Sequence, residues 1–170
     1  GGLAFGGFSS PPSVREAKTE TWNGTNWTEV NDLNTAKNEG GSCGATNTAA
    51  LHFGGTTGSV TGITESWNGT NWTEVNDLNT ARVGLAGAGN YTSALAFGGG
   101  TPTLTGASEV WNGTNWTEDG DLNTARNYLI GGGTSNASAI AAGGLEPSIS
   151  NKAELWTGAG TGVTRTFTDS

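Results

Sequence analysis

Three observations predict an all-β repeat architecture. One eight-residue string, Trp-Asn-Gly-Thr-Asn-Trp-Thr-Glu, occurs at 22–29, 67–74 and 111–118, and an eroded copy keeping Trp-Thr-Gly begins at Trp156. The first tryptophans of the four copies are 45, 44 and 45 residues apart, a period that marks stacked supersecondary units. No window shows sustained apolar spacing at three and four residues, so essentially no helix is predicted.

The elements of a unit follow in order. A Gly- and Ala-rich stretch (84–89 in the third unit) suits a strand in a crowded place near a central axis. Next comes an apolar run closed by a diglycine: Leu3-Ala4-Phe5-Gly6-Gly7, Leu51-His52-Phe53-Gly54-Gly55, Leu95-Ala96-Phe97-Gly98-Gly99 and Ile140-Ala141-Ala142-Gly143-Gly144. Runs this short suit buried strands rather than helices. A third strand ends at the first Trp, with Glu20, Glu65, Glu109 or Glu154 two residues before it. Asn-Gly-Thr-Asn then supplies the positive φ of a tight hairpin, and the second Trp opens a fourth strand. If Gly24-Thr25 are the central turn residues, Trp22 faces Trp27, an aromatic cross-strand pair, but Glu20 also faces Glu29. A three-residue turn with a bulge would relieve that repulsion, so two registers remain open. Asp-Leu-Asn-Thr-Ala and a cation close the unit, ending at Lys37, Arg82 and Arg126.

Four short strands per 44–45 residues describe a propeller blade, because one such sheet cannot bury both its faces alone. The single predicted domain, 1–170, divides into units at about 1–31, 32–76, 77–120 and 121–170. The first unit enters at its diglycine strand and so lacks its leading strand. In the last, Val163–Thr168 can serve as the outer strand. Three closures are open: a four-bladed ring, a ring shared between chains, or the C-terminal part of a longer propeller. A four-blade fragment or protomer is favoured.

Composition excludes several function classes. The 170 residues hold 30 Gly and 7 Trp, only 13% charged residues, and a formal charge of −8 with no basic run. Nucleic acid and anionic membrane surfaces are therefore not expected partners, and no apolar run is long enough to span a bilayer. Cys43 is the single cysteine, so no intramolecular disulfide and no cysteine-based zinc site can form. The chain begins at Gly1 with no visible signal peptide, as a processed or excised product would.

The diglycine, the aromatic, the later Trp and the loop ending in a cation resemble the kelch repeat over nearly the whole chain. They depart from it in the five-residue spacing from Trp22 to Trp27 and in Trp standing for the usual Tyr. The near-identical units also resemble kelch-like repeats of bacteriophage structural and tail-associated proteins, notably marine ones. That resemblance implies a β-propeller on a virion, tail fiber or bacterial surface. Kelch-like copper oxidases use a His and Tyr set, whereas this chain offers His52, Tyr91 and Tyr128 in different units.

Candidate residues divide into frame and ligand sets. The frame is Trp22, Trp27, Trp67, Trp72, Trp111, Trp116 and Trp156, with Lys37, Arg82 and Arg126 bridging neighbouring blades and Asp32, Asp77 and Asp121 capping their own loops. The four glutamates could ring calcium, but nothing makes six to eight oxygens converge, and no metal or cofactor is expected. Cys43 lacks a second His to form a dyad, and 131–133 lacks the Lys and Ser/Thr of a phosphate loop. Binding residues on repeat folds sit in loops that vary on a constant frame. The variable segments are 8–19, 56–64, 100–108 and 145–153, and within them Ser9, Pro11, Arg15, Thr57, Thr103 and Ser148 are the candidate ligand residues. The expected function is non-enzymatic adhesion to a host surface glycan or protein at a virion or cell surface. A structural scaffold that self-associates is the alternative, and a propeller enzyme the third.

Overall fold

In the computed structural model, residues 1–158 and the backbone of 162–165 are described. Every regular element among them is a strand. The chain starts in β1 (Gly2–Phe5), passes a small hairpin of β2 (Phe8–Ser9) and β3 (Val14–Arg15), and continues through β4 (Thr19–Trp22) and β5 (Trp27–Val30). The second unit holds β6 (Gly41–Thr46), β7 (Ala49–Phe53), β8 (Thr64–Trp67) and β9 (Trp72–Val75). The third holds β10 (Ala86–Asn90), β11 (Ser93–Phe97), β12 (Ser108–Trp111) and β13 (Trp116–Asp119). The fourth runs β14 (Ile130–Ser135), β15 (Ser138–Ala142), a hairpin of β16 (Leu145–Glu146) and β17 (Ser148–Ile149), then β18 (Ala153–Thr157) and β19 (Gly162–Arg165).

Each unit makes one antiparallel meander. The second, third and fourth sheets have four strands in sequence order, and the first has three, β1-β4-β5. The sheets are propeller-like blades whose inner strands β6, β10 and β14 pack side by side. Glycine permits that approach: a Cβ on Gly87 would stand 2.5 Å from the Phe53 ring and 2.6 Å from the Ser42 carbonyl. A cavity of about 420 Å³ runs beside these strands, bounded by β1 where the first sheet has no inner strand.

Several sequence expectations are sharpened. The third unit's inner strand begins at Ala86 rather than Gly84, because Gly84 has a φ of +67° and turns the chain into it. The outer strand of the last sheet is 162–165, and Thr166–Thr168 lie outside the described residues. Trp22 pairs with Trp27, and the repulsive-looking register, with Glu20 opposite Glu29, is the one adopted. The Asn23 carboxamide accepts the amides of Thr25 (2.8 Å) and Asn26 (2.9 Å), locking the two-residue turn. The same register sets Glu65 opposite Glu74 and Glu109 opposite Glu118. It is tolerated because Glu65 and Glu109 are fully buried among donors, whereas Glu74 and Glu118 face solvent.

Candidate functional site

The invariant residues go into the seams between sheets. Phe53 meets Trp116 of the next sheet edge-on at 4.8 Å, as Phe5 meets Trp72. The Trp116 indole N–H donates back to the Thr64 hydroxyl at 3.2 Å and that of Trp72 to Thr19 at 2.9 Å. The first tryptophans point inward: Trp67, Trp111 and Trp156 donate to the carbonyls of Asn47, Tyr91 and Asn136 in the inner hairpin turns of their own sheets. Trp22 and Trp27 stack on each other at 5.5 Å, with Trp27 49% exposed.

One linear loop makes most of the polar seam. Between the second and third sheets, Asn76 Nδ2 donates to Thr114 O and Asn115 Oδ1. The Asn79 amide and Nδ2 donate to Glu109 Oε2 at 2.7 and 2.9 Å, and Thr80 N to Oε1. Arg82 then donates to Glu109 at 3.1 Å and to the carbonyls of Gly98 and Ala107. Arg126 repeats this with Glu154 (2.9 Å), Gly143 O and Lys152 O. Burial pulls the Arg82 guanidinium below its ordinary range, and Glu109 opposes that pull.

Glu65, Glu109 and Glu154 therefore occupy separate seams, Glu20 is exposed on the first sheet, and the four do not converge on one point. The aspartates act differently from the expected local cap. Asp32, Asp77 and Asp121 accept the amides of Thr19, Thr64 and Ser108, each 13 residues earlier, so they tie the loop to the start of the third strand of their own sheet.

Between the first and second sheets the pattern is altered. Lys37 Nζ lies 4.0 Å from Glu65 and donates to Ile63 O at 2.7 Å. His52 stands beside it, where the other units have Ala4, Ala96 and Ala141. Its Nδ1 lies 3.1 Å from Gly41 O, and its Nε2 is buried with no hydrogen-bond partner. Burial and the Lys37 charge push the imidazole down to about 3, while burial lowers Lys37 to about 8 against the pull of Glu65. Cys43 lines the cavity beside Asn90 O, and burial raises its thiol to about 12, which disfavours the thiolate at neutral pH.

The variable segments form one face. Each connects the diglycine strand of its sheet to the strand carrying the first Trp and folds back as a small hairpin, and the last three are tethered at their base. Thr56 and Asn38 exchange backbone hydrogen bonds, as do Gly100 and Val83, and Leu145 and Asn127. The residue after each tether forms a collar: Gly84 N donates to Glu39 O at 2.8 Å and Tyr128 N to Gly84 O at 2.7 Å. Glu39 and Tyr128 take φ of +59° and +51°, and the Tyr128 hydroxyl donates to Glu39 at 2.9 Å. That bond raises the Tyr128 hydroxyl above its usual range.

Of the six candidate ligand residues, Ser9 and Arg15 share the β2–β3 hairpin, where Ser9 Oγ donates to Glu16 at 2.7 Å. Pro11, Thr57, Thr103 and Ser148 are exposed near the tips of their own loops. Among the described residues no hydrogen bond joins these six to one another. The face instead carries exposed apolar side chains at matching places: Val60 (41%), Leu104 (37%) and Ile149 (88%), each paired across its hairpin, with Phe8 (52%) and Tyr128 (54%). Sequence reasoning missed this rim and the collar. The available signal was the alignment column Glu39, Gly84, Tyr128, where a glycine in one copy betrays the positive φ of all three.

The fold is similar to that of a solved structure described as the structure of YjhT. The TM-score is 0.74, with 11% identity, over 89% of this chain and 53% of that one. The chain thus spans about half the length of that protein, and the likeness defines the class: an all-β protein of propeller-like sheets. No family model matches the sequence, and no curated protein matches it.

Proposed function

We propose that this chain is a non-enzymatic, kelch-like binding module that adheres, on a virion or bacterial surface, to a host glycan or protein. The observation that supports this reading is the rim of Val60, Leu104 and Ile149 around the Tyr128–Glu39 collar. Large apolar side chains held in water on otherwise unlike loops are a cost to solubility that an interaction surface offsets. A constant seam chemistry carries these loops, the division of labour that binding folds use. A glycan array and a pull-down from host surface extract test it with the wild-type chain and with Ile149→Ser and Leu104→Ser. Saturable binding that falls at least about tenfold in the double variant supports the reading. Binding unaffected by both substitutions sinks it.

A second reading, a self-associating scaffold, is favoured by the uncovered Trp27 at the outer face of the first sheet. Light scattering separates the two, since rim substitutions leave a scaffold's mass unchanged and abolish adhesion.

A further inference from the structure

The three seams are read by one short segment, and a fourth copy of its receptor takes no such segment from the described residues. In every seam a loop ending Asp-Leu-Asn-Thr-Ala-Lys/Arg lies on the next sheet, preceded by Asn31 or Asn76 in the first two seams and by Gly120 in the third. There it meets a buried glutamate and carbonyls flanking the diglycine strand, and in the first two seams also the turn between the two tryptophans. Asn31 donates to Thr70 O and Asn71 Oδ1, and Asn34 to Glu65 and Trp72 O. Asn76, Asn79 and Arg82 repeat these contacts on the third sheet.

The first sheet holds the same acceptors in the same register: Glu20, the carbonyls of Gly6, Lys18, Thr25 and Trp27, and the Asn26 carboxamide. Among the described residues, none of them receives a donor from another sheet. The consequence is visible in exposure. Glu65 and Glu109 are 0% exposed and Trp72 and Trp116 5%, whereas Glu20 is exposed and Trp27 is 49% exposed.

We propose that this face of the first sheet is a receptor for an Asn-Asp-Leu-Asn-Thr-Ala-Arg segment presented by a further repeat unit. Charge chooses the partner: Glu20 offers a carboxylate with no ion-pair partner among the described residues, where the covered copies hold a cation at 3.1 Å (Arg82) and 2.9 Å (Arg126). Shape chooses it too, because the Trp27 ring stands where Trp72 and Trp116 take the edge of a phenylalanine from the adjoining sheet. The same interface, built in full between the second and third sheets and with Lys37 in place of the arginine between the first and second, specifies the occupant. The loop region and rim on the variable face take no part in it.

The test uses the whole chain and a capped synthetic peptide with the sequence of residues 76–82. The Trp27 indole N–H resonance is identified by comparison with Trp27→Phe and followed during titration. We expect a saturable shift with a Kd on the order of 1 mM or tighter. Glu20→Gln weakens it about tenfold or more, since a charge-assisted bond is lost. Replacing the peptide's arginine by glutamine weakens it likewise, and lysine falls between. Glu20 is exposed, so Glu20→Gln leaves the fold intact, which unfolding in urea checks. Absence of a saturable shift overturns the proposal, as does binding that ignores both Glu20 and the peptide's cation.

Discussion

The seam between the first and second sheets and the seam between the second and third solve one problem with different residues. Both must bury a glutamate and a cation between two aromatic-lined sheets. The later seam uses Arg82, whose planar guanidinium spans Glu109 and two carbonyls at once, with the small Ala96 in the adjoining strand. The earlier one uses Lys37, which reaches Glu65 only at 4.0 Å, and fills the remaining space with His52. The fork satisfies more acceptors than the ammonium, because its donors are fixed in a plane that matches them. Lys37 and His52 therefore read as one substitution made in two places. The third copy, Arg126 with Ala141, agrees with the Arg82 pattern.

Breaking the stronger seam has the largest effect. Trp116→Ala removes the ring that meets Phe53 and donates to Thr64, and should cost about 4 kcal/mol in urea unfolding. The same change at Trp27, which is 49% exposed, should cost about 1 kcal/mol or less. Next, Glu109→Gln strands the Arg82 charge and should cost roughly 3 kcal/mol. Glu65→Gln should cost less, because Lys37, already lowered to about 8, can shed its proton.

Acid separates the seams through His52. His52 is held near 3 in the folded chain against an unfolded value of 6.5, so the unfolded state binds the extra proton between those values. Its contribution is complete above pH 6.5 and is lost as pH falls toward 3, with a slope approaching roughly 1.4 kcal/mol per pH unit. Urea titrations across that window should show this slope flattened in His52→Ala. The smallest effect sharpens the pairing itself. Lys37→Arg alone should crowd His52 and His52→Ala alone should leave a void, whereas the double variant recreates the Arg82 arrangement. We expect a favourable coupling of about 1 kcal/mol in the double-mutant cycle, and simple additivity would refute the pairing.

Local chemistry made the strands legible in the sequence. The Asn-Gly turn and the flanking tryptophans specify a hairpin within eight residues, and the diglycines end the neighbouring strands. The register stayed open, because the carboxylate repulsion that argued against it is relieved by donors about 30 residues away, such as Asn34 on Glu65. The aspartates were misread for the same reason, since Thr19, Thr64 and Ser108 reach them only after the sheet has formed. On the candidate binding face, Thr57 and Thr103 are candidates by their place in variable loops, and placement alone does not say which side chains a loop presents. The exposed side chains that distinguish the face are apolar, and apolar residues such as Val60 and Ile149 look like core until the tertiary structure leaves them in water. Glu39 and Tyr128 were hidden because non-glycine residues seldom take positive φ.

That sheets are joined by a glutamate gripped by the preceding loop is tested most directly by placing one substitution at equivalent positions with and without that loop. Glu109→Gln and Glu20→Gln should be unfolded in urea side by side. We expect Glu109→Gln to lose roughly 3 kcal/mol while Glu20→Gln stays within about 0.5 kcal/mol of the wild type. Equal losses at the two positions would contradict the seam.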